Sequence, residues 1–271
     1  MDQSQKAKTF RQLHQQRHAF VIPNPWDVGT ARLLAAMGFK ALATTSMGYA
    51  FSVGQRDNTL SREQTLAYIA AVATSTDLPV SADLENGFGD QPEVAAETIR
   101  LAASAGAVGG SIEDSTGRAD DPIYAIEFAT ERIRASVEAS RSLNIDFVLT
   151  ARAENFLHGR PNLDDTIRRL QAYQEAGADV LYAPGLRSRE DIASVVAAVD
   201  RPVNVVMGLQ GVRLSVDDFS AIGVKRISVG SALYRAAIGA FLEGAREMAS
   251  RGTFSFATGA ASPKEISQFF D

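Results

Sequence analysis

Cysteine is absent from the 271 residues, which excludes disulfides, thiolate metal sites and a cysteine nucleophile. Also missing is any apolar run approaching the ~18 residues of a membrane span. The first residues, Met1 to Arg17, are polar and lack the apolar centre of a signal peptide. Positive charge is in deficit too. The formal net charge of -5 argues against a nucleic-acid partner or an anionic membrane surface. Together these absences predict a cytoplasmic protein. They also set a condition: an anionic substrate must be met locally by arginine, backbone N–H groups or a metal.

What is present is ordinary globular composition, 45% hydrophobic and 22% charged. The length suits one α/β barrel of about 250 residues as well as two smaller domains. Short apolar runs fall at Phe20–Pro23, Ala41–Thr45, Leu78–Val80 and beyond, Val108–Ile112, Phe147–Ala151, Val180–Ala183, Val203–Val206 and Arg226–Val229. Helical patterns separate them. Asp27 is placed to cap one, and Ser61-Arg62-Glu63-Gln64 has the form of a capping box. Ser4 to His18 reads as a short surface helix carrying His14 and His18 on the outside. Eight alternations of this kind predict a single (β/α)₈ TIM barrel over residues 1–271. An open doubly wound sheet is the alternative, but no Gly-x-Gly-x-x-Gly follows the first strand. The tail from Gly252 to Asp271 carries Phe254, Phe256, Phe269 and Phe270, too apolar for a free end. It is expected to pack on the barrel or on a neighbouring subunit.

The chemistry points to Ser81-Ala82-Asp83-Leu84-Glu85-Asn86-Gly87-Phe88-Gly89-Asp90. In an extended chain Asp83 and Glu85, at i and i+2, share one face. Two buried negative charges need a compensating cation; a solvated acidic strand end is the alternative. In a barrel, strand C-termini share one mouth, which adds Asn24, Trp26, Ser46, Gly48, Glu113, Arg152, Glu154 and Asn204 to the same region. Oxygen ligands without cysteine or histidine favour Mg²⁺, or Mn²⁺, over Zn²⁺. A metal beside an arginine suits an α-oxo acid, whose carboxylate Arg152 can pair with. The alternative for Arg152 is a structural ion pair with Glu154 or Glu113. His158 titrates in a useful range but can equally be a solvated loop residue. Tyr49 and Tyr182 lie near strand ends, where tyrosine also serves as a wall. Gly230-Ser231 reads as a tight turn rather than an anion site.

Over nearly its whole length the chain resembles the isocitrate lyase / phosphoenolpyruvate mutase superfamily. The matching pieces are Thr45-Ser46-Met47-Gly48, Asp57, Asp83-Leu84-Glu85-Asn86-Gly87-Phe88-Gly89, Ile112-Glu113-Asp114 and Ala151-Arg152-Ala153-Glu154. Against the family's Asp-x-Asp-Thr-Gly-Tyr/Phe-Gly, Glu85 and Asn86 are departures that keep oxygen chemistry. The resemblance implies a barrel whose last helix is exchanged between subunits of a homodimer or homotetramer. It implies Mg²⁺ held by Asp83, with Glu85, Glu113 and Asp57 acting largely through water. It further implies that Ser46 and Gly48 offer N–H groups to the substrate carboxylate, and Arg152 its side chain.

Candidate substrate contacts are therefore Ser46, Met47, Gly48, Arg152 and Asn204; candidate catalytic groups are Arg152, Glu113 and His158. The lyases' loop after strand four carries a Cys acid, whereas this chain has Ser115-Thr116-Gly117-Arg118-Ala119-Asp120-Asp121. The mutases and the phosphonopyruvate hydrolase have a Lys where this chain has Ser115. The expectation is a Mg²⁺-dependent carbon–carbon lyase acting on a small α-oxo or 2-hydroxy di-acid through a metal-held enolate, as in oxaloacetate decarboxylation. Phosphorus–carbon chemistry of the mutase or phosphonopyruvate hydrolase type is one alternative. A non-catalytic binder of α-oxo acids is another.

Overall fold

The computed structural model describes residues 1–208 and 212–270; Asp271, the end of the tail, lies outside the described residues. After α1 (Gln3–Leu13), strand and helix alternate. The order is β1 (Phe20–Ile22), α2 (Val28–Ala36), β2 (Leu42–Ala43), α3 (Ser46–Ser52), α4 (Arg62–Ser75), β3 (Val80–Asp83) and α5 (Pro92–Ser104). Then come β4 (Gly109–Glu113), α6 (Ile126–Arg141), β5 (Val148–Arg152), α7 (Leu163–Glu175), β6 (Val180–Tyr182) and α8 (Arg189–Ala197). The barrel ends with β7 (Val203–Val206), α9 (Val216–Ala221), β8 (Arg226–Ser228) and the long α10 (Ala232–Arg251). Asp27 and Ser61 cap α2 and α4 in capping boxes, as their sequence context predicts.

All strand pairs are parallel, in the order β1-β8-β7-β6-β5-β4-β3-β2. The Ala43 N–H donates to the Pro23 carbonyl at 3.0 Å, which joins β2 to the end of β1 and closes the ring. This is the (β/α)₈ barrel that the alternation predicts. The strands are short because both faces are covered: helices lie outside, and inward residues two apart stack in layers. No described helix is long and apolar enough to cross a membrane.

Two segments differ from the sequence reading. The first helix is not a surface helix. Ala7, Phe10 and Leu13 pack with Phe20, Val108, Val148 and Val180 at the N-terminal ends of the strands, so α1 plugs the bottom of the barrel. Gly109 permits this approach, since a Cβ there would lie 2.7 Å from the Phe10 ring. His14 is consequently buried, whereas His18 is exposed as expected. A polar flanking sequence concealed the plug, because only three apolar residues of the helix make it.

The second difference is Ser46 to Ser52, where the sequence reads as the end of the second strand running into a loop that reaches Asp57. The segment is helical, with the Thr45 hydroxyl accepting the Gly48 N–H as cap. At the other end of the chain, α10 touches mainly the 3-10 turn Ser255–Gly259 that folds back along it. The tail's end reaches the barrel, where the Arg32 guanidinium donates to the Phe270 carbonyl and lies 5.3 Å from its ring. Phe241, Phe254 and Phe256 remain exposed.

Candidate active site

At the C-terminal ends of the strands opens a cavity of about 520 Å³, lined by Asp57, Asp83, Glu85, Glu113, Arg152 and Glu154 among others. The acids arrive as the sequence expects, but not by the geometry it suggests. The strand β3 ends at Asp83, and Glu85 sits in the left-handed region with φ 49°. The i, i+2 argument for a shared strand face therefore fails. A turn brings Glu85 to the cavity instead. Phe88 is left-handed as well (φ 64°), and Gly87 at φ 84° lies where a Cβ would meet the Ala95 backbone at 2.9 Å. A bulky residue held at positive φ is uncommon, and such strain collects at ligand sites.

Arg152 is the centre of the cluster. Its Nη1 lies 2.9 Å from Asp83 Oδ1, its Nη2 3.0 Å from Glu113 Oε2 and 2.8 Å from Glu154 Oε1, and its Nε donates to Glu154 at 2.9 Å. Below it the Tyr182 ring centroid is 5.1 Å away. Burial opposes the arginine's charge, but Glu113, Glu154 and Asp83 outweigh it and hold the guanidinium protonated well beyond its ordinary range. The structural ion pair weighed for Arg152 is thus present, with three acids rather than one.

One guanidinium does not balance Asp57, Asp83, Glu85, Glu113 and Glu154. Burial, with Asp83 and Asp57 as like charges, pushes the Glu85 carboxyl up to about 8. Burial and then Asp83 raise Asp57. Burial also raises Glu113 and Glu154, against the pull of Arg152. Glu85 Oε1 is buried and accepts no hydrogen bond. Among the described residues no three acids or histidines stand close enough to share an ion as placed, because Arg152 lies between Asp83, Glu113 and Glu154. The donor set nonetheless fits a hard divalent cation: every candidate ligand is oxygen, one oxygen is orphaned, and negative charge is in excess.

The remaining candidates divide. His158 lines the cavity, and burial lowers its pKa. Ser46 and Met47 also line it. The expected carboxylate-binding N–H groups have partners inside the protein: Ser46 N–H and Oγ both donate to Asp83 Oδ2, at 3.1 and 2.8 Å, and Gly48 N–H donates to Thr45. Asn24 also closes the structure, its Oδ1 accepting the N–H groups of Val229 and Gly230. Gly230-Ser231 is thereby a tight turn, as read. Tyr49 stacks on Tyr68 at 4.1 Å and serves as wall. Behind the site, Asp114 accepts from the Glu154 N–H, Arg169 and the Tyr173 hydroxyl, which fixes the strand end that carries Arg152 and Glu154.

Sequence reasoning missed one residue altogether. Arg226 lines the cavity from the first position of β8, buried, with Asn204 Oδ1 accepting from its Nε at 2.8 Å and Thr150 Oγ1 from its Nη2 at 3.0 Å. The available signal was an arginine opening a short strand that is otherwise uncharged and buried.

With this geometry in place the relatives can be compared. A family pattern described as phosphoenolpyruvate phosphomutase matches residues 10–249. The chain belongs to this family. An uncharacterised protein of Mycobacterium tuberculosis (strain ATCC 25618 / H37Rv) is 31% identical over 240 residues, 88% of each chain. Oxaloacetate decarboxylase of Bradyrhizobium diazoefficiens is 29% identical over 203 residues, 72% of this chain and 68% of that one. Among solved structures, a Burkholderia cenocepacia J2315 protein provisionally described as a lyase/mutase has a TM-score of 0.96 at 62% identity, covering 99% of this chain and 96% of that one. Phosphonopyruvate hydrolase in complex with oxalate and Mg²⁺ has a TM-score of 0.86 at 25% identity, covering 100% and 95%. The family lies in the phosphoenolpyruvate mutase / isocitrate lyase superfamily, whose members are carbon–carbon lyases and mutases.

Proposed function

We propose that this family member is a Mg²⁺-dependent lyase that breaks a carbon–carbon bond in a small α-oxo di-acid, with oxaloacetate decarboxylation the best-fitting reaction. The observation that carries the reading is the excess of buried carboxylate around Arg152, in a cavity that has no cysteine to serve as acid. Ser115 lines the cavity where the lyases place their acid loop. Loss of CO₂ needs no protonation of the leaving group, so the absence of that loop is compatible with decarboxylation.

Asp83, with Glu85, Glu113 and Asp57, would hold the ion. Bound there, it would supply a Lewis acid for the oxo acid's oxygens and for the negative charge that develops as the bond breaks. Arg152, with one Nη1 N–H not taken up by the acids, would donate it to the substrate's carboxylate. His158, on the loop above, would relay a proton from solvent to the carbon that loses CO₂, while Glu113 would hold Arg152 in position. The curated oxaloacetate decarboxylase and the Mg²⁺–oxalate complex of the hydrolase support this assignment by similarity.

The test combines binding and turnover. Mg²⁺ with oxalate should raise the melting temperature by mass action, and oxaloacetate should be converted to pyruvate. Asp83→Ala should abolish both while the metal-free protein stays folded. Unchanged Mg²⁺-dependent binding in Asp83→Ala would refute the ligand set. Release of phosphate from phosphonopyruvate without oxaloacetate turnover would place the protein with the hydrolase, and binding without any turnover would make it an oxo-acid binder.

The exposed apolar stripe of α10 and the tail extends the proposal to assembly. Phe241 is 67% exposed, Phe254 67% and Met248 43%, on a helix that packs mainly against its own return segment. A second copy of this chain, exchanging that helix in a homodimer or homotetramer, would cover them.

A further inference from the structure

Beneath the acid cluster lies a second layer that the proposed reaction does not use. Residues two apart on a strand face the same side, so Ser81, Ser111 and Thr150 stand one layer below Asp83, Glu113 and Arg152 on β3, β4 and β5. Barrel interiors ordinarily fill this layer with valine, isoleucine and leucine. Here it holds hydroxyls, and the cavity reaches Ser81 and Ser111. Arg226 closes it from β8. Its partners are all neutral: the Asn204 amide, the Thr150 hydroxyl and, at 3.4 Å, His14 Nε2.

Among the described residues no carboxylate pairs with Arg226, in contrast to Arg152, which has three. A guanidinium offers five N–H donors, of which these three contacts engage three. A buried cation without a counter-ion is costly, and proteins ordinarily neutralise it. Burial, with the Arg152 charge acting in the same direction and Tyr182 against it, lowers the Arg226 pKa to about 10. The guanidinium thus remains charged at neutral pH, with two donors left for a ligand in a polar space that small side chains keep open.

We infer that Arg226, with Ser111, Thr150 and Asn204, forms an anion subsite at the floor of the cavity that receives a carboxylate. Thr150 lies two residues below Arg152, a rise of about 6.6 Å along β5, which a short dicarboxylate spans. The subsite thus makes the enzyme selective for di-acids over mono-acids. This deepens the oxo-acid reading of the site and rests on it for the identity of the ligand; the same planar carboxylate chemistry would also accept a free small anion.

The test separates the two sources. In Mg²⁺, the affinities of 2-oxobutyrate and of 3,3-difluorooxaloacetate are measured by calorimetry on the wild-type protein and on Arg226→Met. A charge-assisted contact of this kind is worth about 10- to 100-fold in affinity. The wild type should prefer the di-acid by that factor, and Arg226→Met should lose the preference while binding 2-oxobutyrate as before. Ser111→Val, which fills the space without touching the charge, should lose the preference too and serves if Arg226→Met fails to fold.

An undiminished preference in both variants overturns the inference. If the wild type shows no preference, formate without oxo acid decides. A rise in melting temperature that Arg226→Met abolishes assigns the subsite to a free anion, and no rise overturns it. If 2-oxobutyrate does not bind the wild type at all, the oxo-acid reading fails, and the formate measurement still judges the subsite.

Discussion

Replacing His14 by glutamine should flatten the acid limb of the protein's stability curve. The His14 ring is enclosed by Phe10 and Phe20, with centroids at 4.8 and 5.1 Å. Its Nδ1 donates to the Phe10 carbonyl at 2.8 Å, which leaves Nε2 as the atom facing the Arg226 guanidinium. Burial, and then the Arg226 charge, lower its pKa from 6.5 to about 3. Between those values the unfolded chain binds a proton that the folded chain refuses. The stability from a neutral His14 is fully present above pH 6.5 and is lost as pH falls toward 3. From pH 7 to pH 4.5 the loss is roughly 2.5 kcal/mol, at about 1.36 kcal/mol for each pH unit below 6.5.

Raised carboxyls such as Glu85 act in the opposite sense over an overlapping range. The readout is therefore the difference between wild type and His14→Gln at each pH. Glutamine retains a donor and an acceptor but does not titrate, so lost ring packing adds an offset that does not vary with pH. Urea unfolding followed by circular dichroism, at pH 7.0 and 4.5 and one fixed protein concentration, should show the difference shifting by about 2.5 kcal/mol in the variant's favour at the lower pH. A difference that stays constant would refute the placement of a neutral histidine beneath the barrel.

Arg152→Met should destabilise the metal-free protein by about 3–5 kcal/mol in urea, because Asp83, Glu113 and Glu154 lose the cation they share; a loss under about 1 kcal/mol would mean the pairs contribute nothing net. Gly87→Ala should cost on the order of 1–3 kcal/mol, since φ is 84° and the new Cβ meets Ala95 at 2.9 Å. Wild-type stability in that variant would show that the turn after β3 can relax. Phe241→Asp should shift the protein toward monomer in light scattering if α10 is an interface between copies, and an unaltered mass would remove that face from the assembly.

Much of the fold was legible because a barrel strand buried on both faces reads as a short apolar run. Val203–Val206 agrees with the sequence reading to the residue. The errors arose where local pattern was silent about tertiary contact. The α1 sequence is mostly polar because only Ala7, Phe10 and Leu13 face the barrel, so its role as a plug and the burial of His14 left no periodic signature. The helix after β2 begins at a Thr-Ser-Met-Gly sequence, which also reads as a turn. Its cap is the Thr45 hydroxyl, and threonine serves turns and helix starts equally well.

At the site, the upper layer was legible and the lower was not, for a chemical reason. Asp83, Glu113 and Arg152 end apolar strands, and a charge in that position has few structural uses. Ser81, Ser111 and Thr150 are as compatible with a packed strand as with a polar floor. Only the closed ring shows that they face one another across a space instead of a hydrophobic plug. Arg226 is disguised further by lying at the first residue of β8, the end of a strand where sequence reading expects a solvated charge. The barrel brings that charge inside because β8 is staggered against β7 and β1, pairing Arg226 with Asn204 and Phe20. Two arginines, one ringed by acids and one by neutral groups, therefore face a single cavity at successive depths. Their unequal surroundings, rather than any single motif, give the cavity a direction along which an anionic ligand can be oriented.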